Sequence, residues 1–168
     1  SPTNDPSLVY ARRLSHSNIV LVSRELADLL QRPHTALRDR TLLPFAESAV
    51  SRVEIKASQA FVLQRQTNNT WLVVEPFTAR ADAESMRELF ASLARLEIID
   101  FEKDVVDDFS VYGLTAPARR YVLKTAATNA LGTTNLVLTQ VEFGTNRMDK
   151  IFARRGAENA VYTASFGV

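Results

Sequence analysis

The chain has 168 residues, a formal net charge of +1 and a hydrophobic share of 46%. That is long enough for one domain with a genuine core, and too evenly charged for electrostatic recognition of nucleic acid or an anionic membrane surface. It contains no cysteine, which removes disulfides, thiolate catalysis and cysteine-ligated zinc.

The opening Ser1-Pro2-Thr3-Asn4-Asp5-Pro6-Ser7 has the composition of a linker. Leu8–Leu14 and Asn18–Ser23 read as two short strands around the turn Ser15-His16-Ser17. Ser23 is placed to cap a short helix, Arg24–Gln31, and Pro33 suits the first turn of a second, running to about Arg40. Leu42, Leu43 and Phe45 form an apolar link interrupted by Pro44. Val50–Lys56 alternates, with Val53 and Ile55 on one side and Arg52, Glu54 and Lys56 on the other, as in a half-buried strand. Ala60–Gln66 and Thr70–Glu75 follow, joined through Asn68-Asn69, a pair that tolerates left-handed turn geometry. The result is a three-stranded meander ending at Pro76.

Asp82–Leu96 then reads as one long amphipathic helix, the element around which the rest is expected to pack. Met86, Leu89, Phe90, Leu93 and Leu96 make one apolar stripe, and Glu84, Arg87, Glu88, Ser92 and Arg95 fall elsewhere. Asp82 is the expected N-cap, accepting from the Ser85 amide. Beyond it, Glu97–Phe101 reads as a strand, followed by an acidic run to Asp108 and the turn-rich Tyr112-Gly113-Leu114-Thr115-Ala116-Pro117. Arg119–Thr125 and Asn135–Phe143 read as strands joined by a loop containing Gly132, and Asp149–Arg155 and Ala160–Ala164 as a closing pair. Many strands, few helices and no regular alternation predict an α+β fold: antiparallel meanders packed against one long helix and short helices.

The two ends of the chain resemble each other. Val9-Tyr10-Ala11-Arg12-Arg13 matches Ile151-Phe152-Ala153-Arg154-Arg155, and Asn18–Ser23 matches Asn159–Ala164, with one residue of difference in turn length. This predicts an internal duplication. Residues 1–45 are the closing part of one repeat, hairpin plus short helices, and residues 46–168 are a second repeat without its final helix.

No catalytic, cofactor or metal-ligating constellation stands out. Asp100, Glu102, Asp104, Asp107 and Asp108 have calcium-loop spacing, but Val105 stands where the sharp turn needs glycine, so they read as a solvated loop. His16 and His34 are not at ligand spacing and have no nucleophile beside them. Arg12 and Arg154, each followed by a second arginine, are candidates for contact with an anion or a partner, although neighbours on a strand point to opposite faces. Trp71 and Tyr112 are the candidate stacking aromatics, with core packing as the alternative.

The order of Leu37-Arg38-Asp39-Arg40, Val50–Ile55, the Trp71 strand ending in Glu75-Pro76, the Ala81-Asp82-Ala83 helix start and Tyr112–Pro117 resembles the bacterial domain-of-unknown-function family 4340, over about Leu21 to Tyr162. The resemblance implies a repeat-containing envelope protein found with ABC-type transport or gliding components. It implies a non-enzymatic role with protein partners, possible transporter subunits among them, and it carries no cofactor and no functional residue. Location in the cell envelope follows from the same resemblance. Contact with a membrane is expected only through a segment outside this stretch, because no apolar run approaches the roughly 18 to 20 residues that span a bilayer and no signal peptide is read at the start. A small-molecule or glycan-binding domain is the alternative, using Trp71, Tyr112 and the acidic loop around a cleft.

Overall fold

The computed structural model describes residues 4–129, 132–148 and 150–165. It contains two compact units, Ser1–Asp39 and Arg40–Val168. The first holds β1 (Leu8–Arg12) and β2 (Ile19–Ser23), an antiparallel pair, followed by α1 (Arg24–Leu30). The Ser23 side chain caps α1 by accepting from the Glu25 amide at 3.2 Å. Where a second helix was expected from Pro33 to about Arg40, there is only a 3₁₀ turn, His34–Leu37, which ends as Arg38 turns to an extended conformation. Four residues cannot repay the cost of nucleating an α-helix.

The second unit holds β3 (Arg52–Lys56), β4 (Ala60–Arg65), β5 (Trp71–Glu75), β6 (Ala79–Arg80), α2 (Ala83–Ala94), β7 (Ile98–Lys103), β8 (Arg119–Asn129), β9 (Gly132–Arg147), β10 (Lys150–Arg155) and β11 (Val161–Ser165). All nine strands form one antiparallel sheet in the order β6-β5-β4-β3-β8-β9-β10-β11-β7. The connection between β8 and β9 at residues 130–131, and the predicted strand start at Asp149, lie outside the described residues.

This overturns the α+β expectation. The chain is mostly β, and α2 has 12 residues, or roughly 18 Å at about 1.5 Å per residue. It is a helix of ordinary length laid on a sheet, not a long helix that organises strands. Its expected apolar stripe and cap are present: Met86, Phe90 and Leu93 are buried, and Asp82 Oδ1 accepts from the Ser85 amide at 2.9 Å. The misjudgement came from the strands. β8 and β9 run well past the alternating stretches Arg119–Thr125 and Asn135–Phe143, and β8 pairs with β3 while β9 pairs with β10. Those two ladders fuse what read as separate meanders into one sheet.

The sheet has two distinct faces because side chains alternate along each strand. On one face Val53, Leu63, Trp71, Leu123, Val141, Ala153 and Tyr162 form the main core with Met86, Phe90 and Leu93 of α2. Leu42, Leu43 and Val50 join them. Segment 40–42 runs beside the start of β7, with the Leu42 amide donating to the Leu96 carbonyl at 3.0 Å and the Ile98 amide to the Arg40 carbonyl at 2.8 Å. On the other face Phe152 and Val161 pack under Val106 and Leu114, with Phe109 and Tyr112 partly buried beside them. The segment from Val106 to Leu114 is therefore a cover over β10 and β11. Gly113 has φ +68°, and a Cβ there would stand 2.6 Å from Thr145 Cγ2 of β9, which is why glycine holds that place in the turn.

Candidate functional site

The charged residues of the sheet are organised as ladders. Register places Arg120 of β8 and Arg154 of β10 directly across from Glu142 of β9. Arg154 Nε donates to Glu142 Oε2 at 2.9 Å, and Arg120 Nε lies 3.0 Å from Glu142 Oε1. Glu142 is only 2% exposed, and such burial is tolerated when both oxygens have charged donors. The Arg154 guanidinium also lies 4.5 Å from the centre of the Phe109 ring, within cation–π range. Arg154 thus ties three strands to the loop cover. Tyr112 belongs to the same neighbourhood, its ring edge-on to Phe152 at 5.0 Å.

A second cluster lies further along this face. Glu54 Oε1 accepts from Lys124 Nζ at 2.7 Å and from Arg52 Nε at 2.9 Å. Partial burial disfavours the Glu54 charge, but the hydrogen bonds and charges of Lys124 and Arg52 outweigh it and hold the carboxyl below the ordinary 4.5 of a glutamate. A carboxyl with a lowered folded pKa stabilises the fold above its unfolded pKa, and that stability is lost as pH falls through the folded value. Glu54→Gln should therefore be less stable than wild type at pH 7, with the gap narrowing as pH falls below 4.5; urea unfolding at a series of pH values checks this, and a pH-independent gap would contradict it.

Trp71 lies in the other core. Its ring centre is 5.5 Å from that of Phe90, and the Arg65 guanidinium sits 5.2 Å above it. Arg65 also donates from Nη1 to the Ser48 carbonyl at 3.2 Å and reaches Glu47 at 4.0 Å. A cleft of about 360 Å³ opens beside Trp71, lined also by Arg80 and Ala81, by Met86, Arg87 and Phe90 of α2, and by Glu47. Trp71 and Tyr112 therefore stand in different clusters and do not converge on one cleft.

Arg12 lies in the first unit, exposed on β1 opposite Ile19. His16 is exposed, its Nδ1 2.8 Å from Ser15 Oγ, and His34 is exposed in the 3₁₀ turn. Within the acidic run, Asp100 is paired with Lys150, and Asp108 caps the Ser110 amide at 2.8 Å. The side-chain and backbone hydrogen bonds from Ser110 keep the Asp108 carboxyl below its usual range. Among the described residues no three His, Cys, Asp or Glu side chains are grouped to hold a metal ion, and no helix is long and apolar enough to cross a membrane.

Sequence reasoning passed over Glu142 and Arg65. The local signal for Glu142 is its place between Val141 and Phe143, which sets it on the opposite face from two apolar residues. Its partners depend on cross-strand register, which a single sequence does not carry.

The two hairpins match more closely than the sequence suggested. Ala11 pairs with Val20 as Ala153 pairs with Tyr162, and the turns are closed by the same bond, His16 to Arg13 and Glu158 to Arg155. Leu8–Arg12 thus corresponds to Lys150–Arg154 and Ile19–Ser23 to Val161–Ser165, residue for residue, without the expected one-residue difference in the turn. Their surroundings differ. Tyr10 is 54% exposed and Ile19 66%, whereas Phe152 is 7% and Val161 0%.

The second unit is thus a single antiparallel sheet with a helix on one face and a looped cover on part of the other. One family model matches the chain twice, over residues 1–117 and 71–167. The chain belongs to that family, described as a domain of unknown function (DUF4340). No curated protein and no solved structure matches it.

Proposed function

We propose that the chain is a non-enzymatic interaction module of a bacterial cell-envelope protein, accessory to an ABC-type transport or gliding complex. The observation that carries the reading is the contrast between the two hairpins. The β10–β11 pair is bonded to β9 on one side and β7 on the other and is buried on both faces. The β1–β2 pair has the same register, but among the described residues its sheet contains two strands and α1 beside it has no buried residue. An isolated two-stranded hairpin is marginal in water, and clustered exposed apolar side chains mark a surface that a protein partner covers. In the first unit Tyr10, Ile19 and Leu21 are exposed on one face of the hairpin, and Val20 on its other face and Leu26 and Leu30 of α1 are exposed as well. The charged ladders support the same reading, because Arg154, Arg120 and Glu142 are engaged in holding strands together. The transport setting rests on the resemblance drawn from the sequence.

Cross-linking and affinity capture of the full-length protein from its native envelope tests the proposal, wild type against Leu21→Asp/Leu30→Asp. Both side chains are exposed, so the stability of the double variant should stay within about 0.5 kcal/mol per site. Wild type should recover transporter or gliding subunits and the variant should not. Recovery of nothing but the bait by wild type, or equal recovery by both proteins, overturns the reading.

A further inference from the structure

We propose that the cleft beside Trp71 binds a small amphipathic organic anion, a carboxylate on a compact apolar body. Its lining combines the apolar side chains of Trp71, Ala81, Met86 and Phe90 with Arg65, Arg80 and Arg87, and Glu47 is the one carboxylate among the lining residues. A volume of about 360 Å³ lies at the small end of the range for ligand pockets, about 300 to 1,000 Å³, which are likewise apolar with a few placed polar groups.

The arginines are not equally committed. Arg87 is paired with Glu84 on the exposed side of α2. Arg65 is held over Trp71 by Ser48 and faces Glu47 at 4.0 Å, and its Nε is buried without a hydrogen-bond partner. Arg80, on the short edge strand β6, is exposed and makes no ion pair or side-chain hydrogen bond among the described residues. An uncommitted, exposed guanidinium lining an apolar recess suits a planar carboxylate, which it meets through two parallel hydrogen bonds. Arg65 adds positive charge behind it, and the apolar edges select against a bare inorganic anion. Every residue lining this cleft belongs to the second unit and every residue of the proposed docking surface to the first, so each proposal can fail without the other.

Trp71 is the only tryptophan in the chain, so its fluorescence reports on this cleft alone. The test titrates the full chain with phenylacetate, phenylacetamide and inorganic phosphate, in wild type and in Arg80→Gln. Because Arg80 is exposed at a sheet edge, Arg80→Gln should keep the wild-type melting temperature, checked by circular dichroism. Phenylacetate should give a saturable change, weakened about tenfold in Arg80→Gln by loss of a charge-assisted contact. The amide and phosphate should give none. Absence of a saturable response to phenylacetate overturns the proposal. So does equal binding of the amide, which would make the cleft merely apolar, or of phosphate, which would make it a nonspecific cation patch. Undiminished phenylacetate binding by Arg80→Gln also overturns it.

Discussion

Gly144→Ala is expected to destabilise the chain by about 3 kcal/mol or more, at the upper end of what overpacking costs, and to do so without touching the main core. Gly144 lies in β9 under the turn that covers β10 and β11. A Cβ on it would overlap the Tyr112 carbonyl oxygen and come within 3.1 Å of the Gly113 carbonyl carbon and Leu114 Cγ. The atoms it meets first are backbone, which cannot rotate away as the end of a side chain can. The turn itself is fixed by the Leu114 amide donating to the Phe109 carbonyl at 3.1 Å and by Leu114, which is buried. Relief requires the whole of Phe109–Leu114 to lift, which uncovers Phe152 and Val161. The expected signature is a lowered urea midpoint together with increased proteolysis near Tyr112. An unfolding free energy within about 1 kcal/mol of wild type would show that the cover does not rest on β9 in this way.

Glu142→Ala is expected to cost about 2 to 3 kcal/mol. Breaking a buried ion pair by removing one partner costs roughly 3 to 5 kcal/mol, because the charge left behind has lost its compensation. The lower figure applies here because Arg120 is nearly half exposed and regains water, whereas Arg154, 23% exposed, does not do so fully. Glu142→Gln keeps the shape and one acceptor and should lose less. In a double-mutant cycle with Arg154→Ala the two losses should be less than additive, since the first already breaks the shared contact. Strict additivity would mean that the pair contributes nothing as a pair.

The helix α2 was legible because both of its signals are local. An apolar stripe at 3.6-residue spacing and an aspartate three residues before a free amide need no knowledge of the rest of the chain. The same holds for the alternation of Val53 and Ile55 against Arg52 and Glu54, and for the similarity of the two hairpins. Trp71 read as an aromatic for ligand stacking or for core packing. The structure shows the second, its ring packed against Phe90 in the core, and also places Trp71 among the residues that line the cleft.

What the sequence did not carry was anything that depends on which strand lies beside which. Arg154 read as a candidate for binding an anion. The anion it meets is Glu142, 12 positions away along the chain and directly across the ladder. Tyr112 read as a possible ligand platform, and it is part of the cover over Phe152.

The sequence by itself determined the local elements: the helix with its cap, the alternating strands, the turn around Gly113 and the shared pattern of the two hairpins. These follow from interactions within a few residues, where side-chain period and backbone preference act directly. The tertiary structure alone decided that nine strands make one sheet, that two hairpins of the same register are buried near one end of the chain and exposed near the other, and that three arginines line the cleft beside Trp71. Each of these is a matter of long-range register, and pairing energy is nearly the same for many registers until buried side chains on both strands choose one.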